Sequence, residues 1–316
     1  MRAATTRTLS VSVTVGLISL GVAWNSAEAR EGARGAMALL GVTGIPDATS
    51  SAITITRNDS ESLGITYGQL GLPFTVSEEI PVYLEGYFGY ARYDPLYVFS
   101  GGDAQRRLPG RLNHVTGTLG VGWDFRISRD LVLRPILNGA IGVVATDPAL
   151  FGGLISSRRD VELEIVTGGS TWGTGWGGAL MLDYARYREA YEIDIELRYT
   201  RMTFAAMERT EDGGRPSADT QTLGLWSRVR WPTSLEAFGR PVRWVAEFSH
   251  SQFFGDQSRA LGIEWLTKVG GGIEMDIGRV EATLAGFLYL NRVGLVGRYV
   301  FGRNVSGFSV GLNFGF

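Results

Sequence analysis

The chain has 316 residues, a net charge of −2 and 44% hydrophobic residues at a mean hydropathy of +0.04, too polar for a bundle of membrane helices and too nearly neutral for an electrostatic nucleic-acid binder. It holds no cysteine, which excludes a disulfide framework, a cysteine-ligated zinc site, a catalytic thiol and a lipid-anchored N-terminal Cys. Glycine, at 44 residues, is close to twice its ordinary share of about 7%, and Lys268 is the only lysine among 30 basic residues.

Residues 1–29 have the layout of an export signal. Arg2 and Arg7 precede an apolar stretch from Leu9 to Trp24, which closes on Ala27-Glu28-Ala29. That is a charged segment, an apolar segment and a small-residue cleavage site, predicting removal after Ala29. Residues 30–50 form a short stub, expected either as a helix over 31–41 inside a lumen or as a strap. No later stretch approaches about 18 consecutive apolar residues. The exported chain is therefore soluble, or crosses a membrane with strands.

From residue 51 onward the dominant period is two. Val115, Gly117, Leu119, Val121, Trp123, Phe125 and Ile127 fall on one face, against Thr116, Thr118, Gly120, Gly122, Asp124 and Arg126. Tyr191, Ile193, Ile195, Leu197 and Tyr199 alternate with Glu192, Asp194, Glu196, Arg198 and Thr200. Val242, Trp244, Ala246 and Phe248 oppose Arg243, Glu247 and Ser249. Val280, Ala282, Leu284, Gly286, Leu288 and Leu290 continue the pattern, and the chain finishes on Phe308, Val310, Leu312, Phe314 and Phe316 with small or polar residues between them. Strict alternation of this kind predicts strands with one apolar and one polar face.

Three features favour a membrane sheet over a soluble sandwich. Tyr191 and Tyr199 bracket an apolar face, and eight residues of strand, about 26 Å long, match a tilted membrane crossing with aromatic rings at both interfaces. Many runs exceed the five or six residues of an ordinary strand. Short connections alternate with long ones, as periplasmic turns alternate with extracellular loops.

The predicted strands are 51–57, 61–70, 80–93, 114–127, 130–145, 172–187, 189–206, 220–231, 241–254, 259–277, 279–301 and 304–316. The fold expected is all-β, a single antiparallel up-and-down transmembrane β-barrel over 51–316, with twelve strands and fourteen as the alternative. Closure would leave no unpaired edge in lipid. Pro135, mid-strand, predicts a local bulge, and a change of apolar parity between Leu290 and Val293 predicts a bulge or an extra turn within 259–301.

Candidate sites are few. Asp183, Glu192, Asp194, Glu196, Arg198, Arg228 and Arg230 are expected to point into the lumen, where neighbouring strands of opposite sign would pair. They would rigidify a narrow barrel or line a water-filled pore. His114 is expected at the outer rim, and His250 lies between Ser249 and Ser251, which point to the opposite face. No enzyme signature, metal set or cofactor motif includes either histidine, so no enzymatic activity and no cofactor is expected. The loop 146–171 is a candidate plug or surface-binding segment.

The signal, the alternating strands, the glycines, the missing cysteine and the C-terminal phenylalanine together resemble Gram-negative outer-membrane β-barrels. In that class Phe308, Leu312, Phe314 and Phe316 match the terminal-strand motif read by the barrel-assembly machinery. The resemblance implies outer-membrane lipid, lipopolysaccharide, periplasmic chaperones and that machinery as partners, no nucleic acid, and an open question of oligomeric state. Over residues 50–316 the size and strand count further resemble an autotransporter translocator without a passenger, in which the stub would stand where the linker helix does. A channel for small solutes is the alternative, and an outer-membrane hydrolase the least supported reading.

Overall fold

The computed structural model describes residues 26–46, 52–57, 65–93, 112–146, 170–209, 213–280, 290–303 and 305–315. Residues 1–25, most of the loop 146–171 and Phe316 lie outside them. The strands are β1 (Ala52–Arg57), β2 (Ile65–Thr75), β3 (Val82–Tyr93), β4 (Leu112–Trp123), β5 (Phe125–Arg126), β6 (Leu131–Thr146), β7 (Ser170–Tyr187), β8 (Glu192–Ala206), β9 (Ser217–Ala237), β10 (Arg240–Phe254), β11 (Trp265–Val280), β12 (Leu290–Gly302) and β13 (Val305–Gly315). Two helices accompany them among the described residues, α1 (Ser26–Gly44) and α2 (Gly255–Leu261). Each of the twelve predicted strand segments overlaps at least one of these strands.

All ladders are antiparallel, in the order β4-β3-β2-β1-β13-β12-β11-β10-β9-β8-β7-β6-β5, and β4 also pairs with β6. The fully closed barrel predicted from the sequence is corrected here. The sheet is open and incompletely curled, 248° round with its edges 9 Å apart. The count of thirteen strands among the described residues also departs from the twelve predicted. The extra strand has a local cause. The stretch predicted as 114–127 is broken at Asp124 into β4 and β5, and these pieces are the two ends of the sheet order. The break faces Pro135, which has no N–H to give to a ladder. Pairing of β4 with β6 stops at Gly122↔Ile136, and pairing of β5 with β6 resumes at Phe125↔Leu133. The expected irregularity at Pro135 thus falls on its partner strand, while β6 pairs with β7 through Pro135↔Leu180 without a shift. Alternation determines which residues share a face; how far a sheet curls depends on twist, stagger and interior filling.

The two faces follow the sequence pattern. Outward, Leu119, Leu137 and Trp176 are 73%, 71% and 71% exposed. Inward, Thr116, Thr118, Asn138 and Thr200 are buried. The β9–β10 hairpin extends six residues beyond the predicted end at 231, past Pro232, and turns on Phe238 and Gly239 with φ of 53° and 70°. Those left-handed values at both central positions match the twist of the flanking strands.

The segment 259–277 needs a second correction. It opens as helix α2, and β11 begins only at Trp265. Gly255 and Gly262, with φ of 66° and 63°, supply the left-handed backbone that enters and leaves the helix. Further along, the parity change coincides with a register shift between Asp276 and Val280. Gly278, at φ 68°, lies within that shift.

Candidate functional site

The concave interior holds two layers. Toward the end with the long connections it is filled by α1 and α2; toward the short turns it is crossed by ion pairs.

The five alanines of α1 favour a helix but its four glycines oppose one, so packing must hold it, and Met37, Ala38, Leu39 and Leu40 are all buried in succession. Burial on every side is what a helix enclosed by a sheet requires. The wall opposite is built for it. A Cβ added at Gly142 would lie 2.9 Å from Leu40 Cδ2, at Gly173 2.7 Å from Met37 Sδ, and at Gly89 2.5 Å from the Thr43 carbonyl oxygen. Part of the unusual glycine content is therefore helix-docking surface.

The wall also completes the end of the helix. The last carbonyls of a helix have no partner within it. Here Gln69 Nε2 donates to the carbonyls of Thr43 and Ile45, both at 3.0 Å, and Thr118 Oγ1 donates to that of Gly44 at 2.7 Å. The hydroxyls of Thr43 and Thr116 meet at 2.7 Å. Midway along α1, Arg34 reaches Asp256 of α2 at 3.0 Å. Asp256 accepts in addition from the Asp219 amide at 2.9 Å and from Arg259.

Beneath the helices, Arg198 on β8 donates to Glu85 on β3 through both terminal nitrogens, at 2.8 and 2.7 Å. Asn138 and Tyr83 complete the shell of Glu85 at 2.6 and 3.0 Å. Arg228 and Arg298 share Glu247, at 2.5 and 2.6 Å. Arg292 reaches Glu192 at 2.6 Å and Arg243 binds the same carboxylate. Arg230 joins Asp194 and, at 3.2 Å, Glu274. Arg134 ties Asp124 to Asp183, the latter at 3.1 Å.

Asp194 and Arg230 thus pair between the adjacent strands β8 and β9. Glu192 and Arg230 also approach, at 3.7 Å. Arg228 pairs away from β8, Arg198 pairs across the interior, and Asp183 pairs with β6. Glu196 joins none of these clusters and opens onto a cavity of about 100 Å³ between the two layers.

Sequence reasoning did not single out Glu85, Arg134, Glu247, Glu274, Arg292 and Arg298 as partners. Glu247 was legible as inward from its alternation; its pairing with Arg298 on β12 was not, because β10 and β12 are not neighbours in the sheet. His114, the third residue of β4, is fully buried, and His250 Nδ1 lies 2.8 Å from Thr267 Oγ1. They stand on β4 and β10, which are not adjacent. Phe308 and Leu312 are 72% and 59% exposed on the outer face of β13. Phe314 lies in that strand, and Phe316 is outside the described residues.

No protein-family model matches the sequence, and no curated protein matches it. Among solved structures, the β domain of the Bordetella autotransporter BrkA is similar at 14% identity and a TM-score of 0.47, over 84% of this chain and 97% of that one. The translocator domain of NalP from Neisseria meningitidis is similar at 11% identity and a TM-score of 0.46, over 92% and 96%. The NanC porin is similar at 8% identity and a TM-score of 0.39, over 84% and 100%. The likeness is distant. It extends to outer-membrane β-barrel proteins of several kinds and singles out none of them.

Proposed function

We propose that this chain is an outer-membrane protein carrying a narrow polar passage for small solutes, closed in this state by α1. The observation that carries the reading is the seating of α1. A helix is held inside a charged concavity by side-chain hydrogen bonds and glycine contacts, beside a residual cavity, while the opposite face of the sheet is apolar. Contacts of that kind are reversible, and an apolar exterior suits lipid. Outer-membrane lipid, lipopolysaccharide and the barrel-assembly machinery are the partners this reading entails, with the β13 residues Phe308 and Leu312 in the assembly motif.

Recording in planar bilayers tests it. Brief, infrequent openings are expected of the wild type, and longer or more frequent ones of Gly89→Val, whose side chain displaces the Thr43 carbonyl. Silent membranes with both proteins would sink the reading.

A translocator is the second reading, favoured by the position of α1, which occupies the interior and directly precedes β1 in the chain. A reporter inserted after Ala29 and found on the cell surface would support it; a reporter held on the inner side would remove it.

A further inference from the structure

Four inward side chains form one cross-strand row. Glu196 on β8 is opposite Trp226 on β9, Trp226 is opposite Ser249 on β10, and Ser249 is opposite Lys268 on β11. All four line the cavity of about 100 Å³, roofed by Val42, just below the buried stretch of α1, and by Leu261 of α2. The row joins a carboxylate, an indole N–H, a hydroxyl and an ammonium, and ordinary packing does not use all of them.

Ser249 is 4% exposed and its Oγ has no hydrogen-bond partner among the described residues, nor has the buried Nε1 of Trp226. Buried polar atoms left unpaired are costly, so native proteins seldom keep them without a reason. Glu196 stands in the field of Arg198 and Arg134 and of two other acids, Asp183 and Glu85. The cation beside it, Arg198, gives both terminal nitrogens to Glu85.

We propose that this cavity binds a small organic ammonium compound bearing an oxygen acceptor. The ammonium pairs with Glu196. The oxygen accepts from Trp226 Nε1, which can only donate, and meets Ser249 Oγ, which can do either. Water alone satisfies the indole and the hydroxyl, but it brings no positive charge to a carboxylate flanked by acids. The volume corresponds to roughly three water molecules at ~30 Å³ each, which suits a compound the size of ethanolamine or glycine. The inference rests on the passage reading only in treating this compound as a solute that passes. Binding in micelles needs no conduction, so either idea can fail alone.

Calorimetric titration of the full-length protein in detergent tests it, with ethanolamine, glycine and the neutral ethylene glycol as probes. At least one of the two amines is expected to bind ten-fold or more tightly than the glycol. Glu196→Gln should weaken that binding at least ten-fold while leaving the heat-dependent gel shift of the folded protein unchanged. Ser249→Ala should weaken it too, and serves if the first variant fails to fold. Equal binding of glycol and amines, binding of none of them, or indifference to both substitutions would overturn the proposal.

Discussion

Arg198 and Glu85 meet across the interior from strands that are not neighbours, with both terminal nitrogens of the arginine on the carboxylate at 2.8 and 2.7 Å. Two further donors, Asn138 and Tyr83, surround the same carboxylate. Burying a charge is tolerable when it is paired in this way, and breaking such a pair from one side costs about 3–5 kcal/mol. Arg198→Ala should therefore destabilise the protein by that order, and Arg198→Met with Glu85→Gln by clearly less. Urea transitions in detergent compare them; equal losses in the single and double variants would mean that the carboxylate left unpaired is not what the single variant costs.

The apolar exterior predicts a contrast at one position. Leu119 faces outward in the middle of β4 and is 73% exposed. If that face meets lipid, Leu119→Arg should cost about 2–4 kcal/mol near the midplane. Leu119→Ile should cost under about 1 kcal/mol, because it keeps volume and polarity. Folding titrations into liposomes measure both, and an equal tolerance of arginine and isoleucine would contradict a lipid-facing surface.

The contact between the helices has a pH dependence whose sign follows from Asp256. Burial pushes its carboxyl up, but the Asp219 amide, Arg259 and Arg34 outweigh that and hold it below the ordinary carboxylate value. A group with a lower value folded than unfolded stabilises the fold above its unfolded value, about pH 3.9. That contribution is lost as pH falls through the lower folded value. The difference in thermal midpoint between wild type and Asp256→Asn should be constant from neutral pH to about pH 5 and vanish in strong acid. A difference that grows on acidification would contradict the contact.

Much of this was legible in the sequence, for a definite reason. A period of two fixes the face of each side chain, so the outward Leu119 and the inward Thr118 follow directly from the alternation. Pro135 marked an irregularity because it lacks a donor. What the alternation does not encode is curvature, so the open sheet and the meeting of Arg198 with Glu85 were out of reach. Helix α2 was hidden because its seven residues are too few to establish a helical period. The glycines at 89, 142 and 173 read as strand glycines; their role as a seat for α1 depends on a helix that approaches from far along the chain.

The seat of α1 can be locked in a chain that has no cysteine of its own. The hydroxyls of Thr43 and Thr116 lie 2.7 Å apart, so Thr43→Cys with Thr116→Cys places two thiols across the helix and its wall. Single-channel recording of this double variant under oxidising and then reducing conditions tests the closure by α1 most directly. A silent oxidised protein that begins to conduct on reduction is the expected result. Equal conductance in both states, or none in either, would contradict a passage closed by α1.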